Sequence, residues 1–128
     1  MTEIPQFKTV FAELKKILKS QEPNLLIVTD VDGAYVLNTP FSPKYNKELF
    51  FGSVRVKKNY VSYYLMPVYI YPDLLNGISD GLKRRMQGKS CFNFKTVDPV
   101  LFQELAELTE ASSARMKREK VFEPGSTS

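Results

Sequence analysis

Residues 49–95 read LFFGSVRVKKNYVSYYLMPVYIYPDLLNGISDGLKRRMQGKSCFNFK, and this stretch decides the fold. Residues 49–56 and 60–66 are rich in β-branched and aromatic side chains and are joined by Lys57-Lys58-Asn59, in which Asn59 suits a left-handed turn position. They predict a hairpin. In the first strand Phe50, Gly52, Val54 and Val56 alternate with Phe51, Ser53, Arg55 and Lys57, and the first set is the expected core face. In the second, Val61, Tyr63 and Leu65 alternate with Tyr60, Ser62, Tyr64 and Met66. Both faces are partly apolar, as in a central strand. Pro67 ends or bends it, and residues 68–71 are expected to extend it past the bend. Pro72-Asp73-Leu74-Leu75 predicts a single helical turn. Ser79 caps a short helix running to about Gln87, with Gly88 as its stop. Residues 90–95 are a short strand with Phe92 and Phe94 on one face.

Outward from this centre the patterns are simple. Before it, Phe7, Val10, Phe11, Leu14, Ile17 and Leu18 keep helical spacing over residues 5–19, with Pro5 in the first turn. Residues 25–29 and 34–37 are apolar runs separated by Asp32-Gly33, a hairpin signal of type I′, whose two central positions both need positive φ. Residues 38–47 are a loop with two prolines. After the centre, Asp98 caps and Pro99 opens a helix to about residue 118, with Leu101, Leu105, Leu108 and Ser112 as its stripe and Glu104, Glu107 and Glu110 on a solvated side. The sum is an α+β single domain over residues 1–119, a mostly antiparallel sheet of about five strands with N- and C-terminal helices packed on it. Residues 120–128 are expected to be a flexible tail.

Composition closes off much chemistry. The 128 residues are 43% hydrophobic and 25% charged, with one cysteine and no histidine. A Ser–His–Asp triad, a Cys–His pair and a His/Cys zinc site are therefore excluded. No internal disulfide can form, which agrees with a reducing compartment. No window approaches the ~20 apolar residues of a membrane-spanning helix, and the N-terminus carries charges inside its apolar pattern, unlike a secretory signal. A cytoplasmic protein with no membrane association is expected.

The charge is uneven. Residues 44–95 hold ten cations (Lys44, Lys47, Arg55, Lys57, Lys58, Lys83, Arg84, Arg85, Lys89 and Lys95) against Glu48, Asp73 and Asp80, a local balance of +7 in a chain of +4. A basic face follows. Lys57, Lys58, Lys83, Arg84, Arg85 and Lys89 are the candidate residues for an anionic small molecule, an acidic protein or a nucleic-acid backbone, with Tyr63 and Tyr64 as stacking surfaces. The competing explanation is local: cations at a helix C-terminus are favoured by its dipole.

Other motifs dissolve on inspection. Asp30-Val31-Asp32-Gly33 imitates the nucleophile motif of haloacid-dehalogenase-like phosphatases, but no acidic pair follows downstream, and the hairpin turn explains it. Gly88-Lys89-Ser90 resembles the end of a P-loop, but position 83 is Lys and the tripeptide follows a helix instead of preceding one. Cys91 reads as a buried small hydrophobe, although Lys89 beside it would activate an exposed thiol.

The runs FGSVRVKKNYVSYYLMPVYIYPDLL and LKRRMQGKSCFNFK resemble the YdhG-like family of small bacterial proteins, and the flanking helices fit its length and order. The resemblance implies a compact α/β domain with terminal helices packed on a sheet, and it brings no agreed catalytic motif. Some relatives are regarded as frataxin-like iron chaperones, which bind iron through acidic residues of the first helix and the neighbouring sheet edge. Here the first helix offers Glu13, with Glu3 before it and Glu22 after it, and no iron ligand is carried over. The expectation is a non-enzymatic binding or accessory protein without cofactor, catalytic residue or metal site. The alternatives are a frataxin-like iron chaperone or an enzyme that works without histidine.

Overall fold

Alternation in the central hairpin sets which side of the sheet is covered. In a computed structural model describing residues 5–122, helix α1 (Pro5–Lys19) leads through a 3₁₀ turn (Glu22–Asn24) to strands β1 (Leu26–Val31), β2 (Ala34–Asn38), β3 (Phe50–Val56) and β4 (Val61–Leu65). Short helices α2 (Met66–Ile70) and α3 (Asp80–Lys83) flank a 3₁₀ turn (Pro72–Leu75), and β5 (Cys91–Phe94) and α4 (Pro99–Arg118) complete the chain. The sheet is an antiparallel meander in the order β1-β2-β3-β4-β5.

Helices α1 and α4 cover one face of this sheet. The predicted stripe of α1 is the buried one, with Phe7, Val10, Leu14 and Leu18 in the core. Leu18 lies against Gly52 of β3, where an added Cβ would come within 2.8 Å of the Tyr64 carbonyl oxygen and 3.1 Å of the Leu18 side chain. Over β4 and β5, α4 buries Leu101, Leu105 and Leu108, and Phe102 meets Phe94 edge to face at 4.9 Å between ring centroids. The hydroxyl of fully buried Tyr63 lies 2.6 Å from Thr109 Oγ1. Thr109 gives its own proton to the Leu105 carbonyl, so Tyr63 is the donor of the pair.

Several expectations are corrected. Phe51, not Phe50, joins Gly52 and Val54 in the core, because the β2–β3 register shifts between Leu37 and Asn38 and skips Phe51. Residues 68–70 do not extend β4. Pro67, lacking an N–H for the ladder but suited to a first helical turn, opens α2 instead. The turn after β1 is not type I′, since only Gly33 has positive φ. The Ser79-capped helix stops at Lys83, not near Gln87; its cap holds, with Ser79 Oγ accepting from Leu82 N–H at 3.1 Å. Glu104 is not simply solvated: it accepts from both the backbone N–H and hydroxyl of Ser79, tying α4 to that cap.

The domain also runs past residue 119. Lys120 takes φ 61°, the Val121 N–H bonds the Met116 carbonyl and the Lys120 N–H bonds that of Lys117, which is a Schellman closure. It folds Val121 and Phe122 into the core. The rest of the expected tail, residues 123–128, lies outside the described residues, as does Glu3.

Two outcomes follow. Gly52→Ala drives a methyl group into the Tyr64 carbonyl of β4 and against Leu18 of α1, and lowers stability by about 1–3 kcal/mol in urea titration. The tyrosines give an alkaline limit. Burial pushes the Tyr63 phenol up, and burial with Glu22, which accepts its proton, pushes up that of Tyr35. In the unfolded chain both ionise near the ordinary value of about 10. Their contribution is therefore full below about pH 10 and is lost as the pH rises beyond it. Urea midpoints measured from pH 8 to 11.5 fall across that window, and Tyr63→Phe flattens the fall.

Candidate basic hollow on the helix-free face

The face opposite α1 and α4 carries the outward half of each alternation. Val36 pairs with Ser53, Ser53 with Tyr64, and Tyr64 with Cys91; Arg55 pairs with Ser62, and Ser62 with Asn93. Beyond β5 the chain leaving α3 lies down on the sheet edge. Met86 bridges Phe92, the Asn93 N–H bonds the Arg85 carbonyl at 2.8 Å, and the Gln87 N–H bonds that of Cys91 at 2.9 Å. Gly88, at φ 80°, permits the tight return into β5.

This edge makes a hollow of about 310 Å³ lined by Tyr60, Arg84, Arg85, Met86, Gln87, Asn93 and Lys95. Its floor is fixed by one amide. Asn93 Oδ1 accepts from Ser62 Oγ at 2.8 Å and from the Cys91 thiol at 3.3 Å, and Asn93 Nδ2 donates to Gln87 Oε1 at 2.7 Å. Ser62 is 1% exposed, so it has no water to turn to. Three cations border the hollow and no carboxylate does. Arg84, Arg85 and Lys95 form no salt bridge among the described residues.

Acidic groups are engaged elsewhere. Lys15 lowers the Asp30 carboxyl from its ordinary value, Lys19 and then Tyr35 do the same for Glu22, and Arg115 does so for Asp73. Asp30 thus serves as a surface partner of Lys15 at 2.6 Å beside the hairpin. Among the described residues no group of three or more Cys, Asp or Glu converges to hold a metal, and no helix is long and apolar enough to cross a membrane.

Of the residues singled out in the sequence, Arg84 and Arg85 reach the hollow together. Lys83 ends α3, Lys89 sits in the return after Gly88, and Lys58 is in the β3–β4 turn; all three are exposed and border no part of it. Lys57 lines a neighbouring hollow of about 290 Å³ on the same face, with Arg55, Phe50, Ser53, Val36 and Tyr64. Tyr63 is corrected as a stacking residue: its side chain is sealed in the core. Tyr64, one residue on, faces the other way and is half-buried; burial, and then the neighbouring Cys91 thiol, push its phenol up. Lys95 and Tyr60 as hollow residues were missed. The parity signal was present, since Tyr60, Ser62 and Tyr64 alternate with the core set.

A larger groove, about 450 Å³, runs between α1 and α4 past Ile17, Val97 and Phe102. Its charges, Glu13 and Lys16, bond each other at 3.3 Å, which leaves it no unbalanced charge. Polar chemistry converges in the smaller hollow.

No protein-family model, no curated protein and no solved structure matches the chain.

Replacing Asn93 with Leu removes the acceptor of a buried hydroxyl. Stability falls by about 1–3 kcal/mol, read from urea titration. Asn93→Leu/Ser62→Ala, which deletes both partners, recovers most of that loss.

Proposed function

We propose that the protein is a non-enzymatic binding or accessory protein whose ligand is anionic, held in the hollow bordered by Arg84, Arg85 and Lys95. A YdhG-like family member acting in the cytoplasm is part of the same reading. The observation that carries it is the convergence of three cations without a bordering carboxylate over a floor pinned by Asn93. Guanidinium groups present paired N–H donors that match phosphate and carboxylate oxygens. The Gln87 amide and the Tyr60 hydroxyl supply further polar contacts, and Tyr60 supplies an apolar wall.

The same hollow offers little to a catalyst. No carboxylate borders it to act as base, and the carboxylates with shifted titration are those bound to lysines, a tyrosine and an arginine elsewhere. Binding is what remains for this chemistry to do.

Calorimetric titration with tripolyphosphate at 50 and 200 mM salt tests the proposal. Binding is expected at low salt and weakens as counterions compete. Arg84→Glu/Arg85→Glu lowers the affinity at least about tenfold, since charged hydrogen bonds contribute about 1.5–3 kcal/mol each. Lys58→Glu, outside the hollow, changes it less than twofold. Absence of binding at low salt, or equal loss in the Lys58 variant, refutes the assignment.

A further inference from the structure

The basic hollow is one half of a larger pattern on the helix-free face. Sheet register arranges that face in lines across the strands. One line runs Arg55, Ser62, Asn93 and then Arg85, through two ladder pairs and the Asn93–Arg85 backbone bond. At a strand spacing of 4.7–4.9 Å, its two arginines sit about 14 Å apart at the backbone. The next line runs from Lys57, whose N–H bonds the Tyr60 carbonyl at 2.8 Å, through Tyr60 to Lys95, one residue past the Val61–Phe94 pair. Each hollow therefore has a half-buried tyrosine with cations beside it: Tyr60 with Arg85 and Lys95 in one, Tyr64 with Arg55 and Lys57 in the other. No carboxylate lines either one.

We infer that this face binds a single-stranded nucleic acid laid across β3, β4 and β5. This rests on the reading of the first hollow as an anion site and names the ligand class. Charge complementarity carries the choice: positive groups in both hollows of this one face suit a polyanion long enough to reach both. A lone phosphate group would fill one hollow and leave the other unused. The tyrosines decide the strandedness. Unpaired bases offer free faces for stacking, whereas bases in a duplex are stacked on one another. An acidic peptide would satisfy the cations and leave the rings without a planar partner. Arg55, Lys57, Arg85 and Lys95 hold backbone phosphates, and Tyr60 and Tyr64 receive bases.

The test uses the full chain and fluorescence anisotropy with a labelled twelve-residue oligothymidylate, competed by a duplex of the same length, by polyglutamate and by tripolyphosphate. The single strand is expected to bind with a steep salt dependence. Tyr64→Leu keeps apolar volume but removes the stacking ring. It weakens the oligonucleotide about 5- to 100-fold, the range expected from one base stack, while tripolyphosphate affinity measured by calorimetry changes less than twofold. Lys57→Glu, which needs no core rearrangement, also weakens the oligonucleotide and spares tripolyphosphate.

Three results overturn the inference while leaving the anion site intact. They are oligonucleotide binding unchanged by both variants, a duplex that competes as well as the single strand, and polyglutamate that competes as well at equal charge. Failure of both tripolyphosphate and oligonucleotide to bind overturns the anion site as well. Thermal melts of each variant verify that the fold is retained.

Discussion

Tyr63 joins the sheet to its C-terminal helix through a hydrogen bond that has one workable direction. Thr109 spends its proton on the Leu105 carbonyl of its own helix, so its oxygen is free to accept only from Tyr63. The bond is fully buried, where an orphaned hydroxyl is costly, and it fixes α4 over β4. On the neighbouring strand Gly52 lets Leu18 pack closely, and a side chain there would collide with the Tyr64 carbonyl oxygen. Together these contacts commit both long helices to one face of a single antiparallel sheet. The other face has to be finished by its own side chains.

That requirement explains its composition. Val36, Ser53, Ser62 and Cys91 are buried there without belonging to the hydrophobic core. Larger neighbours such as Tyr64 and Phe50 share the shielding, with Arg55 alongside. Long charged side chains can cover apolar surface with their stems and keep their heads in water, so cations are a natural material for such a face. Acidic residues were placed differently. Asp30 meets Lys15, Glu22 meets Lys19 and Tyr35, Asp73 meets Arg115, and Glu104 closes the Ser79 cap. The segregation of charge seen along the chain thus becomes a segregation in space.

The elements that local rules govern were readable from the residues. The apolar stripe of α1, the Asp98 cap with Pro99, the Asp32-Gly33 reversal and the central position of β4 follow from periodicity, capping and turn chemistry. What escaped depends on pairing between distant residues. The register shift that puts Phe51 rather than Phe50 inside is a property of β2 and β3 together. The end of α3 at Lys83 is set by the pull of β5 on residues 85–87, which outweighs the weak preference of one helical turn. Val121 and Phe122 looked like the start of a tail because a lysine, not a glycine, stands at the left-handed closing position. Arg84 and Arg85 stood out by their density. Tyr60 and Lys95 did not, because each reaches the arginines only through strand pairing: Lys95 through the Asn93–Arg85 edge contact, and Tyr60 through the β4–β5 ladder.

The shortness of α3 also bears on why the arginines are there. A row of cations after a helix is ordinarily accounted for by the helix dipole, which needs several aligned peptides and acts within the last turn. Helix α3 has four residues, and Arg85 has already left it to pair with Asn93 as if in a strand. Lys83 ends the helix and Arg84 is its C-cap, so both stand where whatever dipole exists acts, and Arg85 lies beyond it. The like charges of Arg84 and Arg85 stand beside Lys95, and none of the three forms a salt bridge among the described residues. The Asn93 amide is held by three hydrogen bonds and Gln87 is one of its partners, so a neutral floor is built into the edge itself, with Arg84, Arg85 and Lys95 bordering it.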